Sequence, residues 1–463
     1  MSRNDRRVDP ARLAAFEVLK AVRVDDAYAN LVLPHALATH GLSGRDAAFA
    51  TELASGTLRQ QGTYDAVLAA CIDRPLSKVE AKVRDALRLG CHQLLSMRVP
   101  DHAAINSTVE LVKSKVGPGA ASFTNAVLRK VATRSLEEWV DELAPAPGVA
   151  RDALEFSHPA WIVDLLAASL RVGPPSPPNG AELRRLLAAD NAAPRVTLVA
   201  RPGRATVAEL VDLGAEPTML SPYGAMAPAG SLADLAPVRE RRAGVQDEGS
   251  QLVALAAADA PVDGPDERWL DLCAGPGGKS ALLAALAAQR GATLLANEAQ
   301  FHRARLVAQN LTGAEGVAGV VTGDGARPPY RSGSFDRVLV DAPCSGLGAL
   351  RRRPESRWRR TATDIDELVP LQVALLSSAL DLVRPGGAVL YATCSPVLAE
   401  TSEVVDAVFA ARTDVTLEPL GGLVGDIAES AGPVDGTVQL WPHRHQTDAM
   451  FMALLRRLPT MSS

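Results

Sequence analysis

The spacing of apolar positions predicts a helical first part of the chain. From Arg12 to Arg134 apolar residues recur at intervals of three and four, the period expected of packed helices. Asp9 and Pro10 predict the start of the first helix, with an aspartate cap and a proline in the first turn. We therefore expect an all-α bundle over residues 1–144.

Stretches rich in proline and glycine interrupt this pattern after the bundle. They lie at 144–148 and 173–180, where breaks or exposed loops are expected. Between 190 and 245, short strand-like runs such as 196–200 alternate with turns. The sequence thus predicts a linker helix and a small α+β module over residues 145–245.

From residue 246 onward, buried-strand runs alternate with helical patterns. Strands are expected at 268–273, 292–296, 335–340, 387–392 and 449–455. Helices are expected at 280–288 and 366–383, and a further helix is expected to include residues 305 and 310. This alternation is typical of a parallel, doubly wound sheet, whose ligand sites lie at the carboxyl ends of the strands. The predicted fold class is therefore multidomain, with an α/β Rossmann-like domain over 246–463 after the bundle and the small module.

The composition predicts a cytoplasmic location for the protein. The 463 residues are 47% hydrophobic and 22% charged, and no apolar run reaches the roughly 20 residues of a membrane helix. The first residues lack the apolar core of a secretory signal. The five cysteines are too scattered for a disulfide framework, which fits a reducing compartment.

The charge is divided unevenly along the chain, although the net charge is −5. Residues 1–135 carry 19 basic and 13 acidic side chains, a charge of +6, and the remainder carries −11. A basic bundle suggests contact with phosphate, and a merely solvated surface is about equally compatible with this charge.

A glycine-rich turn follows the first predicted strand of the α/β region. Its glycines allow backbone to approach a ligand ahead of a helix amino terminus, although a tight strand-to-helix corner is an alternative. Pro276 departs from the spacing of dinucleotide-binding turns. Lys279 is the only lysine after Lys130, in a chain with 41 arginines, which suggests a site where only a compact ammonium fits. The expected cofactor-binding residues are Cys273, Ala274, Gly275, Pro276, Gly277, Gly278, Lys279, Glu298, Asp324 and Asp341.

Two cysteines follow adjacent predicted strands. Cys344 and Cys394 each sit among turn residues, so their thiols should face one cleft. For Cys71, Cys91 and Cys273 a small buried hydrophobe is the preferred interpretation. A disulfide or a metal pair stays possible for the first two, but no further Cys or His lies at ligand spacing, and no metal is expected.

These motifs together resemble a known family. Asp341-Ala-Pro-Cys344, the Thr-Cys-Ser run at 393–395 and the turn at 271–279 are similar to motifs of RNA cytosine-C5 methyltransferases, as are 246–253 and 442–448. The segment 122–130 resembles NusB, the antitermination factor. This combination resembles the RsmB (Sun/Fmu) family of 16S ribosomal RNA cytosine-C5 methyltransferases. Three positions depart from the family's usual residues: Glu298, Thr401 and Ala449.

The resemblance implies chemistry for several residues. The cofactor would be S-adenosylmethionine, with Cys394 as the nucleophile, Cys344 assisting release, and Lys279 and Asp341 completing the catalytic set. Asp341 would hold the base's edge or the cofactor's methionine end. The reverse assignment of the cysteines stays open. RNA contacts are expected from Arg129, Lys130, Arg351, Arg352, Arg353 and Trp358, although a solvated basic loop is the alternative for the last four.

The expected partner is RNA, either ribosomal RNA alone or a small-subunit assembly particle. A monomer with no membrane contact is expected. Three alternative functions stay open: a non-catalytic RNA-binding or antitermination-type factor, a cytosine-C5 methyltransferase acting on tRNA, and a methyltransferase for small molecules. The last would need neither the bundle nor two thiols.

Overall fold

The computed structural model describes residues 8–171, 180–230 and 232–459. Most of the predicted break at 173–180 lies outside these residues. The chain forms two compact units. The helical unit comprises the described parts of Met1–Leu165, Leu183–Ala193 and Leu350–Arg359; the sheet unit comprises those of Leu166–Glu182, Pro194–Ala349 and Arg360–Ser463. Because these units cut across the three predicted domains, the predicted boundaries stay predictions.

The predicted helical bundle is confirmed. Asp9 caps the first helix by accepting the backbone N–H of Arg12 at 2.8 Å, and Pro10 occupies the first turn. Leu13 and Leu53 are buried in one apolar cluster and Leu128 in a second. The helices are α1 Pro10–Val24, α2 Ala29–Thr39, α3 Gly44–Arg59, α4 Gln61–Cys71, α5 Ala81–Leu95, α6 Asp101–Lys115, α7 Ala121–Val131, α8 Leu136–Leu143, α9 Val149–Glu155, α10 Ala160–Arg171 and α11 Ala181–Asn191.

A short segment from late in the chain, Leu350–Arg359, belongs to the helical unit. Its Arg357 is fully buried and donates to the carbonyl of Ser157 at 3.0 Å and the side-chain oxygen of Asn191 at 2.8 Å. Glu355 accepts the backbone N–H of Ala29 at 3.1 Å. Local sequence patterns did not predict this placement, because its contacts are all distant in the chain.

The small α+β module forms a four-stranded antiparallel sheet, in the strand order β2-β3-β1-β4. Leu198, Leu210 and Ala225 form part of its apolar core. The elements are β1 Thr197–Ala200, α12 Val207–Asp212, β2 Glu216–Pro217, β3 Gly224–Met226, α13 Ala236–Arg239 and β4 Ala243–Val245.

The predicted Rossmann-like α/β fold is confirmed, with a larger sheet than expected. Its eight strands include the path β10-β12-β9-β8-β5-β6-β7, and β11 pairs with β12. The elements are α14 Glu248–Asp259, β5 Arg268–Asp271, α15 Gly278–Gln289, β6 Thr293–Glu298, α16 Phe301–Asn310, β7 Val317–Thr322, β8 Phe335–Asp341, α18 Ala362–Leu382, β9 Val383–Thr393, α19 Ser402–Ala411, β10 Val415–Glu418, β11 Val438–Gln439, α20 Pro442–His445 and β12 Phe451–Arg457. The short helix α17 Ser356–Arg359, which lies between β8 and α18 in the chain, belongs to the helical unit.

The expectation of a purely parallel sheet was wrong at one edge. Strands β5 to β9 pair in parallel, but β12 runs antiparallel to β9, with Phe451 opposite Thr393, and β10 is antiparallel to β12. Residues 451–455 are all buried. Because burial on both faces gives an unbroken apolar run, this strand's sequence looks like that of a parallel strand.

The order of the strands determines where a ligand can bind. Strand β5 lies between β6 and β8, so the chain changes direction across the sheet at β5. The carboxyl ends of β5, β6, β8 and β9 therefore meet at one edge, where open α/β sheets bind ligands. Among the described residues, no helix has the length and apolar character needed to cross a membrane.

Candidate active site

The glycine-rich turn connects β5 to α15 and has one position that only glycine suits. Gly277 adopts a φ of 107°, and a Cβ there would lie 2.9 Å from the backbone Cα of Val307. At Gly278, where α15 begins, an added Cβ would meet nothing within 4 Å. The turn is thus tightly packed on one side and open at the amino terminus of a helix, an arrangement suited to an approaching ligand.

Glu298, at the end of β6, fastens this turn. Its carboxylate accepts the backbone N–H groups of Gly275 and Gln300, each at 3.0 Å, and lies 3.7 Å from the guanidinium of Arg303. A Cβ at Gly275 would collide with that carboxylate. Nearby, the N–H of Ala274 donates to a backbone carbonyl at 2.8 Å. The predicted contact of Glu298 with the cofactor stays a prediction.

Other predicted cofactor residues differ in exposure. Asp324, in the loop after β7, has a half-exposed side chain that accepts the N–H of Ala326 at 3.0 Å and contacts Arg327 at 3.3 Å. Pro276 is exposed and Cys273 half-buried. Burial, followed by nearby carboxylates, raises the pKa of the Cys273 thiol well above its usual range. Of these groups, the Asp324 carboxylate is the one most open to a ligand.

Asp271 was not among the predicted site residues, although it ends the first strand of the sheet. Its side chain is buried and accepts the hydroxyl of Ser280 at 2.6 Å on Oδ2. Oδ1 has no hydrogen-bond partner among the described residues. Burial raises the pKa of Asp271 to about 7, against an ordinary value of 3.8. The available signal was an acid immediately after an apolar strand run.

Lys279 and Asp341 form an ion pair at this edge of the sheet. The ammonium Nζ lies 2.8 Å from Oδ2 of Asp341, and both side chains are largely buried. Burial alone would lower the pKa of Lys279, but the Asp341 carboxylate and its hydrogen bond outweigh burial and raise it. Lys279, the only lysine after Lys130, thus supplies a positive charge that Asp341 holds in place.

The two predicted cysteines come together. Strands β8 and β9 are neighbours, and the Sγ atoms of Cys344 and Cys394 lie 3.4 Å apart. The hydrogen bond from Cys344 lowers the pKa of Cys394, with a further contribution from the charge of Lys279. The same bond and burial raise the pKa of Cys344 well above its usual range. These shifts favour the thiolate at Cys394 and the protonated thiol at Cys344.

Gly348 is a further residue that the sequence did not indicate. Its N–H donates to the carbonyl of Cys394 at 2.9 Å, and its carbonyl accepts the N–H of Ala449 at 2.8 Å. A Cβ at this position would collide with the backbone carbonyl oxygens of Ala449 and Cys394. Gly348 thus connects three chain segments that are distant in sequence, and no local pattern could reveal it.

The residues expected to contact RNA have different surroundings within the helical unit. Arg129 and Lys130 are exposed at the end of α7, with the Lys130 ammonium 3.1 Å from the carbonyl of Cys71. The Trp358 ring packs so closely on Gly62 that a Cβ there would collide with it. The RNA contacts of these residues stay predictions.

The arginines near that tryptophan are partly engaged within the protein. Arg353 is exposed, with its guanidinium 4.4 Å from the centre of the Tyr28 ring, while Arg351 is buried and Arg352 half-buried. Arg357, close by in the sequence, is fully buried among protein acceptors and is therefore not available to phosphate. The RNA contacts of the other three stay predictions.

Comparison with known proteins agrees with this geometry. Residues 260–456 match the family described as 16S rRNA methyltransferase RsmB/F, and residues 9–133 match the NusB family. A Mycobacterium tuberculosis (strain H37Rv) protein named as a methyltransferase is 50% identical over 99% of both chains. The ribosomal RNA small subunit methyltransferase B of Pseudomonas putida is 34% identical, covering 91% of this chain and 92% of its own length. That of Xanthomonas campestris is 32% identical over 96% of each.

Solved structures share the fold. The crystal structure of PH0851 superposes with a TM-score of 0.80 at 23% identity, covering 97% of this chain and 99% of its own. A methyltransferase homologue from Pyrococcus horikoshii gives a TM-score of 0.54 at 22% identity, covering 68% and 100% respectively.

Fold and site together define a methyltransferase with a Rossmann-like catalytic domain and a NusB-type helical domain. The chain belongs to the RsmB family of ribosomal RNA small subunit methyltransferases, which confirms the family resemblance of its motifs.

Proposed function

We propose that the protein transfers a methyl group from S-adenosylmethionine to C5 of a cytosine in RNA, through a covalent adduct between Cys394 and C6. The substrate we favour is 16S ribosomal RNA. The observation that carries the proposal is the pair of thiols 3.4 Å apart, beside the ion pair of Lys279 and Asp341. The names of the relatives, ribosomal RNA small subunit methyltransferase B, support the choice of substrate.

The residues at the sheet edge fit S-adenosylmethionine. The open backbone at Gly278 can accept a ligand at the helix amino terminus, and the half-exposed carboxylate of Asp324 can accept bonds from an adenine amino group. Residues 273–279 with Glu298, Asp324 and Asp341 would hold the cofactor. When bound, it supplies an electrophilic methyl group on a sulfonium.

The thiols compensate for the low reactivity of cytosine at C5. C5 of cytosine is a poor nucleophile, and addition of the Cys394 thiolate to C6 makes C5 enamine-like. The lowered pKa of Cys394 suits attack, and Lys279 stabilises the thiolate charge. After C5 is methylated, its proton must leave before the bond between Sγ and C6 can break, which calls for a base. Cys344 lies beside Cys394 and is placed to assist this release. After its own proton has passed to solvent, its thiolate can take the C5 proton, while the electrons of the C5–H bond form the C5–C6 double bond and Sγ of Cys394 leaves C6.

The helical unit would hold the RNA. The charge of +6 on residues 1–135 and the exposed side chains of Arg129 and Lys130 support phosphate contacts there. Naked RNA and an assembling small-subunit particle are both compatible with such contacts. Action as a monomer in the cytoplasm belongs to the same proposal.

The decisive experiment separates the roles of the two cysteines. The full-length protein is incubated with unmodified 16S ribosomal RNA and methyl-labelled cofactor, then analysed on a denaturing gel. Cys344→Ala should attack and methylate but stall with labelled RNA attached, because a group needed only for elimination cannot prevent addition. Cys394→Ala should give neither adduct nor methyl transfer. Bisulfite sequencing would identify the modified cytosine.

Cys71→Ala is the matched control, because this buried cysteine belongs to the helical unit and not to the sheet unit that carries Cys344 and Cys394, and it should leave activity unchanged. A trapped adduct with Cys394→Ala and none with Cys344→Ala would exchange the two roles. Methyl transfer without an adduct from any variant would exclude covalent catalysis. Cofactor binding with no transfer to RNA would favour a non-catalytic RNA-binding factor.

A further inference from the structure

One fully buried carboxylate, that of Glu400, lies directly beneath the two cysteine turns. Its Oε1 accepts the backbone N–H of Ser345 at 2.6 Å and the side-chain amide of Gln372 at 3.1 Å. Its Oε2 accepts the hydroxyls of Ser345 at 2.5 Å and Ser395 at 2.6 Å. Each carboxylate oxygen therefore has two donors.

Two of the three donor residues are the immediate neighbours of the cysteines in the chain. Ser345 follows Cys344 in the chain, and Ser395 follows Cys394. Gln372, from α18, also donates to the carbonyl of Pro343 at 2.9 Å, on the other side of Cys344. The two cysteine turns are thus joined by one side chain, in addition to the strand pairing before them and to the backbone bond from Gly348 to the carbonyl of Cys394.

Strand pairing alone does not determine the distance between the thiols. Neighbouring strands lie about 4.8 Å apart, and each cysteine lies in a turn beyond the last paired residues, where the backbone is free of the sheet's register. An acceptor-only group that binds donors from both turns restricts their relative movement. In a buried setting such bonds are strong, and removing the acceptor leaves several polar groups unpaired.

Among the described residues, Glu400 makes no hydrogen bond to a sulfur atom, so it acts on the thiols through the serines that follow them. Its negative charge adds a smaller effect. The pKa of Cys344 is raised first by the bond to Cys394 and by burial, and further by the charge of Glu400. This charge favours the protonated thiol at Cys344 before the reaction begins.

We propose that Glu400 is a positioning residue that fixes the separation of the Cys344 and Cys394 thiols for the two steps of the reaction. This inference rests on the proposed function for its meaning, but the geometry it describes can be measured without RNA or cofactor. The disulfide that diamide forms between two nearby thiols reports their separation, because diamide accepts the two electrons and two protons that the thiols lose.

The test compares rates of disulfide formation between the two cysteines in full-length protein, followed by peptide mass spectrometry. The variant Glu400→Gln preserves volume but presents an amide N–H₂ where an acceptor stood. We expect it to slow crosslinking by about tenfold, since small misplacements of reacting groups have effects of this size or larger. Turnover should fall while KM for the cofactor stays unchanged.

The matched control is Asp336→Asn. Asp336 is also a fully buried carboxylate that accepts two backbone N–H groups, but at the opposite end of β8. It should lower thermal stability without changing the crosslinking rate. If Glu400→Gln fails to fold, Ser345→Ala and Ser395→Ala each remove one hydroxyl bond and should each slow crosslinking about twofold to threefold.

Crosslinking at the wild-type rate in Glu400→Gln, or in both serine variants if that protein cannot be made, would overturn the proposal. Slower crosslinking in Asp336→Asn as well would show that the effect reflects stability alone, and would equally overturn it. Failure of the proposed function has a different outcome: wild-type protein would crosslink normally but would not methylate RNA, and Cys344→Ala would form no RNA adduct.

Discussion

The two ends of the parallel strands differ in how their charged groups are satisfied. At the amino ends, every oxygen of the buried Asp336 carboxylate has a partner: the N–H groups of Glu267 and Arg268 at 2.8 Å and the guanidinium of Arg384 at 2.7 Å. At the carboxyl ends, Asp271 is equally buried but keeps one oxygen without a partner among the described residues.

The same difference appears in the pKa values. Burial alone would raise the pKa of Asp266, at the amino ends, but bonds from Arg337 and Trp269 lower it. At the carboxyl ends, burial raises the pKa of Asp271 to about 7. One end of the sheet therefore uses its charges for stability. The other end, beside fully bonded groups such as Glu400, also holds Asp271 in a state that costs stability and is available for chemistry.

The largest expected effect concerns Asp271 and pH. The pKa of Asp271 is about 7 in the folded protein and ordinarily 3.8, so the folded state binds the carboxyl proton more tightly than the unfolded state does. Its contribution to stability is full below about pH 4 and is lost as the pH rises through about 7. The total loss should approach about 4 kcal/mol. Asp271→Asn, which cannot titrate, should lack this loss and become more stable than wild type at alkaline pH.

Urea unfolding of both proteins at several pH values measures this difference, because other titrating groups cancel between them. Ser280→Ala is a useful control, since it removes the hydroxyl that donates to Asp271 at 2.6 Å but leaves the carboxyl group. Parallel stability curves for wild type and Asp271→Asn would contradict the raised pKa.

The second prediction concerns the amino ends. Asp336→Ala should lower the free energy of unfolding by about 3 kcal/mol, because it leaves two backbone N–H groups and the guanidinium of Arg384 without their acceptor. Asp381→Ala breaks an exposed pair with Arg412, at 2.6 Å, and should cost less than about 1 kcal/mol. Equal losses in the two variants would show that the buried network has no special role in stability.

How much of this could be predicted from the sequence depends on the distance between partners along the chain. The helical period, the strand runs and the turn at 271–279 are local patterns, and they predicted both folds and the meeting of Cys344 with Cys394. The contacts of Arg357 and Gly348 join segments far apart in sequence, so no spacing rule could indicate them. For the same reason, the antiparallel direction of β12 could not be predicted from its apolar run.

Asp271 and Glu400 show a second limit. In the sequence, both are acidic residues near motifs and could equally be a helix cap or a surface charge. Their burial, which the sequence does not show, distinguishes them. Asp324 shows the opposite: its place after a strand indicated a ligand contact, and the structure finds its side chain half-exposed.

The smallest expected effect concerns Asp324. If its carboxylate binds the cofactor, Asp324→Ala should weaken the affinity for S-adenosylmethionine by about 1–2 kcal/mol, the cost of losing a hydrogen bond to a ligand group that stays partly solvated. Asp324→Asn keeps an oxygen that can accept the N–H of Ala326, so it separates a ligand contact from a distorted turn. Arg327→Ala removes only the neighbouring guanidinium and should leave affinity unchanged.

Isothermal titration calorimetry with S-adenosylmethionine on all three variants tests this prediction. Wild-type affinity in Asp324→Ala would remove this residue from the site, and equal losses in Asp324→Ala and Arg327→Ala would point to the loop rather than to the carboxylate.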